Sequence, residues 1–159
     1  MLCDVYAGGF LPLSDELCPV LVPLAGGPIL AYTLESLERG GIEEVIVVCS
    51  LHTSQVQKYI DSSRWGEKNG PVKVKVVGAA AATSVGDALR ELDRLGLVRA
   101  DFILVRGGIL TTLPLSSLVE EHRKRKADDK NVLLMTMVLM QNESQTAFGR
   151  RYDSFLSCC

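Results

Sequence analysis

The chain has 159 residues, of which 47% are hydrophobic and 23% charged, and its formal net charge is −2. This length and composition fit one domain with a buried core, and the near-neutral charge argues against a nucleic-acid-binding surface. No apolar run reaches the length of a membrane span, and no secretory signal is expected at the N-terminus. The five cysteines have no metal-ligand spacing, which favours a reducing compartment and predicts a cytoplasmic protein.

Residues 10–37 contain a rigid loop followed by a helix. Pro12, Pro19 and Pro23, with Gly26-Gly27-Pro28, exclude a regular helix or a central strand over this loop. From Pro28 onward, apolar residues recur at helical spacing until Gly40-Gly41, so a helix is predicted between them.

Strands and helices then alternate along the chain. Buried strands are predicted at 43–49 and 101–105, a strand with one less buried face at 72–77 and a further strand at 131–140, and residues 1–3 form a short first strand. Thr53 and Ser84 are predicted to cap the N-termini of two helices, the second carrying Leu89, Leu92 and Leu95 at helical spacing, and a third helix is predicted over 115–126. This alternation predicts an α/β fold, namely a three-layer α/β/α sandwich with a mostly parallel sheet of about five strands. Ligands of such sheets bind beyond the carboxyl ends of the strands, so the loops at those ends are the candidate binding loops.

The loop and its neighbours resemble the nucleotidyltransferases that make sugar nucleotides. The signature of that family continues from a glycine-rich loop through x-P and P-K-x-L-x-P to a helix entered at proline. Leu11-Pro12, Leu21-Val22-Pro23 and Gly27-Pro28 match it. The resemblance implies a Rossmann-like nucleotidyltransferase fold, with the arginine of the family at Gly9, its lysine at Pro19 and its metal-binding aspartate at Gly108.

Six positions therefore mark a degenerate nucleotide site: Gly8, Gly9, Pro19, Gly86, Asp87 and Gly108. Gly8-Gly9 is either a phosphate cradle or a turn. Asp87 either faces a base and sugar or favours the dipole of its own helix. Gly108 offers no metal-ligand oxygen, and a tight turn after a strand is its simpler interpretation. We therefore expect no catalytic residue, no cofactor and no metal.

Several longer segments resemble the epsilon subunits of eukaryotic translation initiation factor 2B. They include Ser84 to Arg90, Asp101 to Val105, Glu120 to Arg123 and the Asn131-Val132 pair with Met135-Thr136-Met137. The resemblance covers roughly residues 2–140 and implies a nucleotidyltransferase-like domain, cut short, over residues 1–140. Residues 141–159 form a tail of unassigned structure.

That resemblance implies a non-catalytic assembly or regulatory domain of the guanine nucleotide exchange complex that acts in translation initiation. The implied partners are the other subunits of the complex, the gamma subunit first, with neither membrane nor nucleic acid. The alternative is a sugar-phosphate nucleotidyltransferase, active or vestigial. The apolar 131–140 strand further predicts that the isolated chain forms a homodimer. Met135 and Met137 are assigned to a core or an interface, and His122 is expected to be solvated.

Overall fold

The computed structural model describes residues 1–3, 12–67, 70–108, 113–128, 135–141 and 152–158. Its helices are α1 (Leu13–Glu16), α2 (Ile29–Arg39), α3 (Thr53–Asp61), α4 (Val85–Arg94) and α5 (Leu115–Asp128). Its strands are β1 (Pro23–Leu24), β2 (Gly27–Pro28), β3 (Glu44–Cys49), β4 (Lys73–Gly78), β5 (Ile103–Val105), β6 (Thr136–Gln141) and β7 (Tyr152–Cys158). Short 3₁₀ helices cover Pro19–Leu21 and Arg64–Gly66.

The first part of the sheet is parallel, as predicted. Strands β3 and β4 pair in parallel from Glu44↔Lys73 to Cys49↔Gly78. Leu2 forms parallel bridges to both Val48 and Arg106, so residues 1–3 lie between β3 and β5. This short segment is called the first strand below and is distinct from β1. The carboxyl ends of these four segments consequently meet at one edge.

The second part of the sheet is antiparallel. Strand β7 lies between β5 and β6 and pairs antiparallel with both. The chain therefore passes through β6 before it returns to fill the place beside β5. The sequence-based prediction assigned no structure to residues 152–158, which form β7. The predicted domain boundary at residue 140 stays a prediction.

Helices cover both faces of the sheet, which gives the predicted three layers. On one face, α2, α3 and α5 pack on β3 and β5 around buried residues that include Leu30, Leu34, Val56, Val47 and Leu115. On the other face, α4 supplies Ala88 and Leu92, which pack against Leu2, Val48 and Val77. The predicted α/β sandwich is confirmed.

The start of α3 and the inward face of α4 differ from the prediction. Helix α3 has His52 rather than Thr53 at its N-cap position, and Thr53 is the first helical residue. Leu95 lies one residue beyond the end of α4 and is 44% exposed. Ala88 and Leu92 are the buried side chains of that helix. The burial of Ala88 was not predicted, because the prediction rested on the large apolar side chains of the helix.

His122 is buried rather than solvated. Its Nδ1 atom lies 2.8 Å from the Thr136 hydroxyl oxygen, so the imidazole connects α5 to β6. Met135 and Met137 alternate with Thr136 and are 45% and 47% exposed. These two methionines therefore lie on the opposite face of β6 from His122.

The β1–β2 hairpin contains a strained residue. Ala25, in its two-residue turn, has φ of 57°, a value that costs an L-residue about 1–2 kcal/mol. We expect Ala25→Gly to raise the free energy of unfolding by about 0.5 kcal/mol, after subtracting the greater chain entropy of glycine. The same change in the first turn of α2, Ala31→Gly, should lower it by about 1 kcal/mol. Urea unfolding of both variants checks the opposite signs, and equal signs would contradict the argument.

Within the part of the chain that the structure describes, no helix combines the length and apolar character that crossing a membrane requires.

Candidate functional site

The candidate site lies at the edge where residues 1–3 and strands β3, β4 and β5 end. The proline-rich loop reaches this edge and packs against it. Cys18 and Val20 are fully buried in the main core, and Pro19, which lies between them, begins the 3₁₀ helix Pro19–Leu21. The position of the family lysine therefore belongs to a segment anchored in the core by its neighbours.

Gln55 of α3 ties this loop to the body of the domain. Its side-chain oxygen accepts a hydrogen bond from the Cys18 N–H at 3.0 Å. Its side-chain nitrogen donates to the Glu16 carbonyl at 2.8 Å. One amide thus satisfies both a donor and an acceptor of an irregular backbone, which holds the loop in a single position.

The two glycines after β5 have different roles. A Cβ on Gly107 would lie 2.5 Å from the Leu2 carbonyl oxygen, 2.8 Å from that of Cys3 and 2.8 Å from Val20 Cγ1. Gly107 is therefore required by the close approach of the loop and the first strand. Gly108 has φ of 79°, and no atom of the described residues lies within 4 Å of the position of a Cβ. It forms the tight turn that was one of its two interpretations.

Asp87 is held by hydrogen bonds from its own segment. Its Oδ2 atom accepts hydrogen bonds from the Ser84 hydroxyl at 2.8 Å, the Thr83 hydroxyl at 3.0 Å and the Thr83 N–H at 3.3 Å. Its Oδ1 atom accepts one from Arg90 at 2.7 Å. Ser84 caps α4 by accepting from the Asp87 N–H at 3.1 Å. This reciprocal arrangement favours a capping role for Asp87 over ligand binding, and Gly86 is an exposed residue of the same first turn.

The capping arrangement predicts a pH effect. Hydrogen bonds from Ser84 and Thr83, with the nearby Arg90, lower the pKa of Asp87 below its usual value of about 4. A lowered folded-state pKa contributes stability above the unfolded pKa, and this contribution is lost as the pH falls through the folded value. We therefore expect the free energy of unfolding of Asp87→Asn to fall less than that of the parent chain between about pH 5 and about pH 3. Urea unfolding across this range checks it, with the exposed Asp93→Asn of the same helix as control. Equal slopes for the two variants would contradict the capping role.

The two remaining candidate positions, both glycines, supply no charged side chain. Gly8 and Gly9 lie outside the described residues. Within the described ranges, no group of three or more histidine, cysteine or acidic side chains is arranged to hold a metal ion. The structure brings Gly107-Gly108, Val20 and the end of the first strand together, whereas the Asp87 carboxylate accepts hydrogen bonds from Thr83, Ser84 and Arg90 of its own segment.

The chain matches the sequence profile of a known protein family over most of its length. A sequence profile described as nucleotidyl transferase matches residues 7–150. The chain belongs to the nucleotidyl transferase family. A solved structure of a putative glucose-1-phosphate thymidylyltransferase from Bacillus anthracis has the same fold, with a TM-score of 0.75 and 12% identity over 99% of this chain and 68% of that one.

Two curated relatives are both named translation initiation factor eIF2B subunit epsilon. The Schizosaccharomyces pombe protein is 43% identical over 89% of this chain, and the Dictyostelium discoideum protein is 34% identical over 100% of it. The resemblance stated from the sequence is thereby confirmed. The chain spans only 21% and 22% of the lengths of these two relatives.

Sequence reasoning missed two residues that build the site edge. Gln55 carries no signal in the sequence, because a polar residue in a first helical turn is ordinary. Gly107 was noted only as part of a turn. The close approach of Val20, which makes Gly107 necessary, joins residues far apart in the chain.

Proposed function

We propose that this domain is a non-catalytic assembly or regulatory part of the eIF2B guanine nucleotide exchange complex, which acts in translation initiation in the cytoplasm. The observation that carries the proposal is that residues at the position of the family's nucleotide site make their contacts within the chain itself. Val20 fills the space against Gly107, and the Asp87 carboxylate is bound by Thr83, Ser84 and Arg90. The names of the two eIF2B epsilon relatives supply the biological setting.

The chemistry at the six degenerate positions supports a non-catalytic role. Nucleotidyl transfer places charge on phosphate oxygens, which requires cations and a metal held by oxygen ligands. Pro19 and Gly108 provide neither, and Gly9 is not a cation. Losing one pre-organised charge contact commonly costs about 3 kcal/mol of transition-state stabilisation, so losing three together abolishes useful rates.

A pyrophosphate-release assay tests this part of the proposal. The purified chain is incubated with nucleoside triphosphate, sugar 1-phosphate and Mg²⁺, and we expect release at the rate of the protein-free control. A Gly9→Arg/Pro19→Lys/Gly108→Asp variant serves as a matched comparison for contaminating activity. Enzyme-like release by the unmodified chain would favour the alternative, an active sugar-phosphate nucleotidyltransferase.

The proposed partners are the other eIF2B subunits, the gamma subunit first. Leu13 of α1 and Leu24 of β1 are 47% and 45% exposed on the loop side of the domain. These exposed apolar side chains, beside the exposed acidic Asp15 and Glu16, suit a protein partner better than a phosphate-bearing nucleotide.

Co-purification of the chain with the gamma subunit tests the contact. We expect the double change Leu13→Asp/Leu24→Asp to reduce recovery of the complex. Leu95→Asp is a control of similar exposure at the end of α4, and it should leave recovery unchanged. Loss of binding in the control alone, or no binding by the parent chain, would reject this surface.

The edge strand β6 also favours self-association of the isolated chain. Strand β4 carries the exposed Lys73 and Lys75, which discourage edge pairing, whereas β6 contains no charged residue and exposes Met137. We expect a twofold dimer through β6 at micromolar concentration. Light scattering should report a dimer for the parent chain and a monomer for Met137→Lys, with Leu95→Lys as control. A monomeric parent chain would contradict the prediction.

A further inference from the structure

Three thiols from separate segments meet beneath the candidate site. Cys3 ends the first strand, Cys18 lies in the loop and Cys49 ends β3. All three are buried in one core cluster and carry reduced thiols. The edge of the sheet therefore rests on a group of oxidisable side chains.

Backbone pairing makes Cys3 and Cys49 direct neighbours. Leu2 and Val48 are partners in a parallel bridge, and the Cys3 N–H donates to the Val48 carbonyl at 2.9 Å. The next residues in register are Cys3 and Cys49. Because side chains alternate along a strand, both thiols point away from the α4 side, where Leu2 and Val48 pack.

The strand register places the two residues at the Cα separation that disulfides require. Adjacent strands lie about 4.8 Å apart, and disulfides join residues whose Cα atoms are about 4.4–6.8 Å apart. Cys18 shares the cluster, but no strand register aligns it with either partner.

We propose that Cys3 and Cys49 form a disulfide when the chain meets an oxidant of the peroxide class, and that this bond fixes the first strand to β3 at the base of the loop. The inference is independent of the proposed function. One thiolate attacks the peroxide O–O bond and becomes a sulfenic acid, and the leaving hydroxide takes the proton to form water. The second thiol sulfur displaces the sulfenic oxygen, which leaves as another water. Two thiols are oxidised and one peroxide is reduced.

The reaction is slow in the folded chain. The hydrogen bond to Cys49 and burial raise the pKa of the Cys3 thiol well above its ordinary value, so the reactive thiolate is scarce. Release of the first strand exposes the pair. That strand is held by backbone hydrogen bonds from the Leu2 N–H to Val105, from the Cys3 N–H to Val48 and from the Val48 N–H to Met1. Oxidation therefore follows the opening of the strand.

The test uses the full chain with Cys158→Ser and Cys159→Ser, which leaves only the three clustered thiols. The protein is treated with hydrogen peroxide with and without a urea concentration below its unfolding transition. We expect the mass to fall by two hydrogen atoms and peptide mapping to join the fragments that contain Cys3 and Cys49. Urea should accelerate the reaction. A bond from Cys18 to either partner, or no bond under both conditions, overturns the proposal.

Two further measurements do not depend on the mapping. Cys18→Ser in the same background should retain the loss of two hydrogen atoms, and Cys49→Ser should abolish it. The oxidised parent should unfold at a higher temperature than the reduced one, because the bond closes the loop between residues 3 and 49. An unchanged or lower midpoint would show that the bond does not secure the strand. This comparison needs no core substitution.

Discussion

Replacement of Gly107 by alanine is expected to lower the free energy of unfolding by about 3 kcal/mol, at the upper end of the range for overpacked sites. The added Cβ would lie 2.5 Å from the Leu2 carbonyl oxygen and 2.8 Å from that of Cys3. Both contacts are with backbone of the first strand, which is paired on each side and cannot move cheaply. The expected result is a lower urea midpoint with an unchanged slope.

Two controls separate this contact from other effects of the change. Gly108→Ala meets none of the described residues within 4 Å but has φ of 79°, so it should cost only about 1–2 kcal/mol. Val20→Ala combined with Gly107→Ala removes the Val20 Cγ1 contact and leaves both carbonyl contacts in place. We therefore expect no rescue in the double variant. Full rescue would mean that the side chain, and not the first strand, excludes a Cβ at residue 107.

Leu92→Ala should lower the free energy of unfolding by about 2–3 kcal/mol, because the side chain is 7% exposed and joins α4 to the sheet. The loss combines the removed apolar contact with the cavity left between the helix and Val48 or Val77.

Leu95→Ala is the matched control, since it removes the same atoms at the end of the same helix. With 44% of its side chain exposed, Leu95 should contribute well under 1 kcal/mol. Denaturant unfolding of both variants measures the difference. Equal losses would restore the sequence-based assignment of Leu95 to the inward face.

Some features of the site were readable from local sequence. Ser84 was predicted to cap a helix, and it does so through the Asp87 N–H. Such capping depends on residues three positions apart, so a short segment contains all the information. The interpretation of Asp87 as a first-turn carboxylate was likewise available, although its hydrogen bonds to Thr83 and Arg90 were not.

The burial of His122 shows where the local pattern misleads. Charged neighbours on both sides in the sequence suggested a solvated side chain, but helical geometry separates residues that are adjacent in the chain. The Thr136 hydroxyl, on β6, provides the hydrogen bond that makes burial of the imidazole tolerable. Only the packing of α5 on β6 brings that partner within reach.

By itself, the sequence determined the alternation of strands and helices and the proline-braced loop. Both follow from periodicity and from the fixed φ of proline, which act over a few residues. The tertiary structure alone decided that β7 enters between β5 and β6, that Gln55 holds the loop and that Gly107 must lack a side chain. Each of these depends on contacts between segments far apart in the chain, which the sequence pattern of neither segment contains.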